Sequence, residues 1–173
     1  MRTLILGGAR SGKSRHAEAL AARHPGPVVY LATARAGDAE MTARIAAHRA
    51  RRPAHWQTRE VPLALAEALR EEDRPERLLL VDCLTLWLAN LLLETREEAA
   101  VVAHCEALVD TVASVRAELV LVANEVGLGI VPDNALARCF RDHAGRLHQA
   151  LAGVCERVRL LVAGIPLNVK EVK

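Results

Sequence analysis

The run Gly7-Gly8-Ala9-Arg10-Ser11-Gly12-Lys13-Ser14 fits the pattern G-x-x-x-x-G-K-[ST] without a mismatch. Residues of these types at this spacing hold a nucleoside polyphosphate and move one of its phosphoryl groups. The glycines let backbone N–H groups turn inward around phosphate oxygens, and a helix opening at Lys13 adds the positive end of its dipole. Lys13, read as an exposed loop residue, then reaches the β and γ phosphates, and the Ser14 hydroxyl is a ligand for Mg²⁺. Lysine recurs only at positions 170 and 173, whereas arginine is abundant. A compact ammonium thus stands where this chemistry uses one. Asp82, which follows an apolar run, is the matching carboxylate for the metal. On its own such an aspartate is explained equally well as a helix N-cap, but the P-loop favours the metal role; Glu125, at the end of another apolar run, is the weaker rival.

A second group of residues lies at 40–56. Arg44 and His48 are four residues apart and share one face of a helix. Arg49, Arg51 and Arg52 gather at the end of that helix, which Pro53 stops. A histidine among guanidiniums suits attack on a phosphoanhydride: the arginines neutralise phosphate charge while neutral imidazole attacks phosphorus and forms a phosphoramidate. A solvated basic helix with an incidental histidine has the same composition. His55 lies past the proline, and His16, His24, His104, His143 and His148 have no partner at metal-ligand spacing.

These residues need elements to position them. Apolar runs of strand length at 3–6, 28–32, 78–81, 119–123 and 158–163 alternate with helical patterns at 13–24, 38–49, 63–72, 95–116 and 134–156. The strand runs are apolar on both faces, which predicts an α/β fold: a mostly parallel sheet with helices on both faces. No repeat and no Gly- or Ser-rich linker divides the chain, so residues 1–173 are expected to form a single P-loop nucleotide-binding domain.

A chain of 173 residues, 51% hydrophobic and 25% charged, buries a core without a disulfide or metal staple, and disorder is excluded. The balance of 23 basic against 21 acidic residues is too even for a polyanion binder. Tyr30, Trp56, Trp87 and Phe140 are too scattered to make a base-stacking surface, so no nucleic acid partner is expected. The tryptophans suit core or interface positions. Cys83, Cys105, Cys139 and Cys155 lack ligand spacing and read as small buried hydrophobes. With neither a signal segment nor a run long enough to span a membrane, a cytoplasmic setting is the expectation.

Three stretches together resemble one family. They are GGARSGKSRHAE at 7–18, Arg44-Ile45…His48…Arg52-Pro53…Trp56, and Asn124-Glu125-Val126-Gly127-Leu128-Gly129-Ile130-Val131-Pro132. The likeness continues through Arg138, Phe140-Arg141-Asp142, Gly145-Arg146 and Gln149. The family is the bifunctional adenosylcobinamide kinase / adenosylcobinamide-phosphate guanylyltransferase of cobalamin biosynthesis. The resemblance implies a RecA-like P-loop fold, Mg²⁺, ATP and GTP as substrates, adenosylcobinamide and its phosphate as partners, and a homotrimer. It implies a covalent guanylyl-histidine at His48. It also implies a GTP site lined by the loop 7–14, Ala32, Thr33, Ala34, Arg49, Ala50, Arg51, Arg52, Glu60 and Asp82. Two positions depart from the family: Ala47 stands where some members have a histidine, and His148 where an asparagine is expected. The competing readings are a monofunctional P-loop small-molecule kinase, with His48 a bystander, and a RecA-like ATPase module.

Overall fold

Along the central strands, successive apolar side chains point to opposite faces, and the two faces build two cores. The structure, a computed structural model, describes residues 1–37, 39–95 and 97–172. Its strands are β1 (Arg2–Gly7), β2 (Val28–Ala32), β3 (Gln57–Glu60), β4 (Leu78–Asp82), β5 (Glu118–Asn124), β6 (Arg157–Val162) and β7 (Ile165–Glu171). They form one sheet in the order β3-β2-β4-β5-β1-β6-β7, parallel except for β7, which runs antiparallel to β6. Leu4, Val29, Leu31, Leu79, Val81, Leu119 and Leu121 pack on one face with the helices α3 (Leu65–Glu72), α4 (Leu84–Glu94), α5 (Glu98–Ser114) and α6 (Ala135–Val154). Ile5, Val28, Tyr30, Leu78, Leu80, Val120 and Val122 pack on the other face with Ala17 and Ala21 of α1 (Lys13–Ala21). Period-two burial on both faces is what a sheet covered by helices on both sides requires. The α/β P-loop fold read from the sequence is the fold observed.

Three elements were not foreseen. The stretch 84–94 is a helix, and the expected helix at 95–116 begins only at Glu98, because Thr95 and Glu97 take extended backbone between the two. β3 is the polar edge strand Gln-Thr-Arg-Glu, held by parallel pairing with β2. β7 closes the opposite edge as a hairpin from β6. The run at 158–163, expected to be buried on both faces, is half-exposed in β6, because only β7 lies beyond it. α1 stops at Ala21, ahead of Pro25 and Gly26. Trp56 and Trp87 are both buried. The four cysteines are unbridged: Cys155 is buried, and the other three are half-buried rather than fully interior. Among the described residues, no helix is long and apolar enough to cross a membrane.

The base of the sheet is fastened by one ion pair. Glu156, just before β6, accepts from the Arg2 backbone N–H at 2.5 Å and from Arg2 Nε at 3.0 Å. The Arg2 hydrogen bond holds the Glu156 carboxyl well below its ordinary value, at about 2. A carboxylate with a depressed folded pKa contributes stability above its unfolded value, and that contribution disappears as pH falls towards the folded one. Glu156→Gln should therefore cost about 1 kcal/mol near neutrality, allowing for solvent screening of a partly exposed pair. The gap in urea midpoint between wild type and variant should close as pH drops from 4.5 to about 2. A gap that stays constant over that range would assign the cost to packing.

Candidate active site

The chain leaves β1 through a conformation that a side chain would obstruct. At Gly7 φ is +155°, and a Cβ would stand 2.5 Å from the Leu161 carbonyl oxygen. The loop is braced from behind by the β6–β7 turn, whose Gly164 N–H donates to the Ser11 carbonyl at 2.9 Å. Gly12, at φ +95°, caps α1 in the left-handed region, with a hypothetical Cβ 3.2 Å from Gly164 Cα. Lys13 is only 6% exposed, contrary to the expectation of an exposed loop residue. Its ammonium turns into the loop and donates to the Gly8 carbonyl at 2.6 Å.

Strand order brings the second set of groups to the same sheet edge. Ala32 of β2 is in register with Asp82 of β4, and Gly7 of β1 with Asn124 of β5. Strands that end at one carboxyl-terminal edge present their last residues to one crevice, where open α/β sheets bind ligands. The crevice is a cavity of about 670 Å³, lined among others by Arg10, Ser11, Gly12, Lys13, Ser14, Ala32, Ala34, His48, Arg52, Glu60 and Asp82. Helix α2 (Ala39–Arg51) forms one wall. Met41, Ile45 and His48 line the cavity at spacings of four and three, and Arg52, just past the helix, continues the stripe.

His48 Nδ1 lies 3.8 Å from Asp82 Oδ2, and the same oxygen accepts a 2.7 Å hydrogen bond from the Tyr30 hydroxyl. Arg52 stacks on the Tyr30 ring, 3.4 Å from its centroid. Arg49 faces Glu60 at 3.5 Å on the exposed side of the helix, where Ala50 is also exposed. The side chains of Arg44 and Arg51 lie outside the described residues. Thr33 is fully buried: its hydroxyl donates to the Cys83 carbonyl at 2.7 Å and accepts from the Cys83 N–H at 2.8 Å. It ties the ends of β2 and β4 together rather than lining the cavity. Asn90 of α4 locks this junction, donating to the carbonyls of Thr33 and Pro62 at 2.8 and 3.0 Å. The rival Glu125 is not among the cavity residues, and its carboxylate accepts from the Gly127 N–H at 2.5 Å. His55 is exposed and also absent from the lining. His16 pairs with Arg159, its Nε2 3.0 Å from the guanidinium, and burial followed by the charge of Arg159 holds its pKa below the ordinary value.

The donor set suits a hard cation. Ser14 and Asp82 offer a hydroxyl and a carboxylate within one cavity, and Mg²⁺ takes few protein oxygens, completing its shell with water and substrate phosphates. Among the described residues, no cluster of three or more His, Cys, Asp or Glu could hold a metal without such a substrate.

The phosphate loop and the helix-borne His48 thus line one cavity. The family model described as cobinamide kinase / cobinamide phosphate guanyltransferase matches residues 3–169. The chain belongs to this family. It is 57% identical over 170 residues to the bifunctional adenosylcobalamin biosynthesis protein CobP of Pseudomonas aeruginosa, covering 98% of each chain. It is 42% identical over 182 residues to the bifunctional adenosylcobalamin biosynthesis protein CobU of Escherichia coli, covering 98% of this chain and 100% of that one. Among solved structures, a Pyrococcus horikoshii protein matches with a TM-score of 0.59 at 10% identity, covering 99% of this chain and 87% of that one. A prototypical ATPase from a type III secretion system matches with a TM-score of 0.52 at 14% identity, covering 92% of this chain and 50% of that chain. At such identities the structural matches speak for the fold alone. The family is thus one of cobinamide kinases and cobinamide phosphate guanylyltransferases, and this member has an α/β P-loop fold.

Sequence reasoning passed over Tyr30 and Asn90. Each carried a signal: a phenol inside an apolar strand run and an amide inside an apolar helical run must both find hydrogen-bond partners when buried.

Proposed function

We propose that this chain phosphorylates the aminopropanol hydroxyl of adenosylcobinamide with ATP or GTP. It then transfers GMP from GTP to that phosphate, giving adenosylcobinamide-GDP. The observation that carries this reading is the presence of Lys13 and His48 in one cavity. A nucleotide whose triphosphate lies in the loop 7–14 presents its phosphorus atoms to both groups.

In the kinase step the loop N–H groups and Lys13 hold the β and γ phosphates and offset the charge that develops as the γ-phosphoryl passes to the substrate hydroxyl. In the second step His48 attacks the α-phosphorus of GTP. A P–N bond forms, the bond from the α-phosphorus to the bridging oxygen breaks, and pyrophosphate leaves with that electron pair. A phosphate oxygen of adenosylcobinamide phosphate then attacks the same phosphorus and releases the imidazole. A carboxylate beside Nδ1 favours the tautomer that carries its proton there and presents the lone pair of Nε2. Arg52 supplies positive charge beside the attacked phosphate, whereas Arg49 lies on the exposed side of α2. Ser14 and Asp82 would hold Mg²⁺, which supplies charge neutralisation on the phosphates. Arg10, Ala32, Ala34 and Glu60 complete the nucleotide-lining set, with Gly7, Gly8, Ala9 and Ala50 as backbone around it. The active form is a homotrimer, a reading supported by the family resemblance, and its setting is the cytoplasm, the default for a chain in which no signal segment is read.

The test pairs two carboxylates in one assay, with adenosylcobinamide, labelled nucleotide and a magnesium titration. Asp82→Asn replaces a charged oxygen ligand with a neutral one and should raise the magnesium needed for half-maximal rate by about tenfold in both half-reactions. Glu125→Gln should leave that requirement unchanged. The reverse result would move the metal ligand to the end of β5. Absence of any corrinoid-dependent turnover in the wild type would overturn the function itself.

A further inference from the structure

Tyr30 is the one tyrosine of the chain, and it touches both halves of the site. β2 fixes its backbone between β3 and β4, two residues before the Ala32–Asp82 register pair. Its ring is buried with Ile5, Leu78, Leu80 and Val122, so the side chain has little freedom to move. From that anchored ring the hydroxyl donates to Asp82 Oδ2 at 2.7 Å, and the ring face carries the Arg52 guanidinium at 3.4 Å.

We propose that Tyr30 is a positioning residue with two separable actions. Its hydroxyl fixes the carboxylate of Asp82 for the metal, and its ring fixes Arg52 beside the phosphate attacked by His48. The proposal rests on the assignment of Asp82 as metal ligand made above. A terminal carboxylate rotates readily, and a donor on one oxygen selects one of its orientations. An arginine at the end of a surface helix has many rotamers, and a ring face beneath it selects among them, since the guanidinium stacks on aromatic faces. One rigid side chain thereby sets the relative placement of a carboxylate from β4 and a cation from the α2 end.

Two substitutions separate these actions. Tyr30→Phe keeps the ring and removes the donor; Arg52→Gln keeps the donor and removes the stacked cation. The first readout is Mn²⁺ affinity, measured by electron paramagnetic resonance with a non-hydrolysable ATP analogue bound, which requires no turnover. The second is the rate of covalent labelling by GTP carrying a labelled α-phosphate, at saturating metal. Tyr30→Phe should bind Mn²⁺ about tenfold more weakly and label within about twofold of wild type. Arg52→Gln should bind Mn²⁺ as wild type does and label about tenfold more slowly or worse. Thermal melting of each variant accompanies both readouts. If Tyr30→Phe binds Mn²⁺ as wild type while Asp82→Asn does not, the Tyr30 proposal is overturned and the Asp82 assignment stands. If Asp82→Asn itself binds Mn²⁺ normally, the assignment fails and takes the proposal with it. If either variant lowers both readouts together, the role is structural and the proposal is wrong.

Discussion

His48→Ala is expected to abolish covalent labelling by α-labelled GTP and guanylyl transfer, while corrinoid phosphorylation continues at a measurable rate. The kinase step passes phosphate directly to the substrate hydroxyl and needs no enzyme-bound intermediate, so loss of the imidazole removes only a cavity-lining group from it. The guanylyl step has no such alternative. Removing the nucleophile should lower it by ~10³-fold or more, the scale seen when a covalent catalyst loses its attacking group. The linkage supplies a second readout. A phosphoramidate on His48 should be lost in acid and survive alkali, whereas an acyl phosphate on Glu60 or Asp82 would behave in the opposite way. His55, exposed and outside the cavity lining, is the control. A label that maps to His55, or a His48→Ala protein that still transfers GMP, would give the nucleophile to another residue.

Lys13→Ala should lower corrinoid phosphorylation by ~10²–10³-fold, since one charge aimed at the transferring group is lost. Labelling of His48 should fall as well, since in the proposed mechanism the same ammonium serves the β and γ phosphates that depart as pyrophosphate. The burial of Lys13 changes what its removal does to stability. The side chain is 6% exposed and donates to the Gly8 carbonyl, so an alanine removes the shorter of two bonds to that oxygen and leaves the Ser11 N–H at 3.2 Å. The cost should be about 1 kcal/mol, read as a fall of a few degrees in melting temperature. A folded Lys13→Ala protein with near-wild-type kinase turnover would remove the phosphate site from the loop.

What the sequence disclosed follows from how each element earns its stability. β1, β2, β4 and β5 are apolar on both faces, so their runs mark them, and Asp82 and Asn124 mark their ends. β3 carries no apolar signal, since backbone pairing at the sheet edge stabilises Gln57 to Glu60 without a buried face. α4 was hidden for the opposite reason. Leu-Thr-Leu-Trp-Leu-Ala-Asn-Leu-Leu-Leu-Glu is apolar nearly all round, and a helix without a polar stripe shows no 3.6-residue period. The phosphate loop stood out by residue type and spacing, whereas His48 was singled out only through the family resemblance, because a solvated basic helix with an incidental histidine has the same composition. The Tyr30–Asp82 bond and the Thr33–Cys83–Asn90 junction were not legible, because they join residues 50 or more positions apart that only strand order brings together.

The bond from Gly164 to Ser11 joins the opening of the chain to its far end. β1 pairs with β5 and β6, whose residues lie more than a hundred positions further along the chain. Such non-local pairing carries the largest loop-closure cost and is slow to form. The brace behind the phosphate loop, from the Gly164 N–H to the Ser11 carbonyl, is itself one of these distant contacts. A ligand that binds the braced loop therefore also stabilises, by mass action, the long-range strand pairing that holds the brace in place.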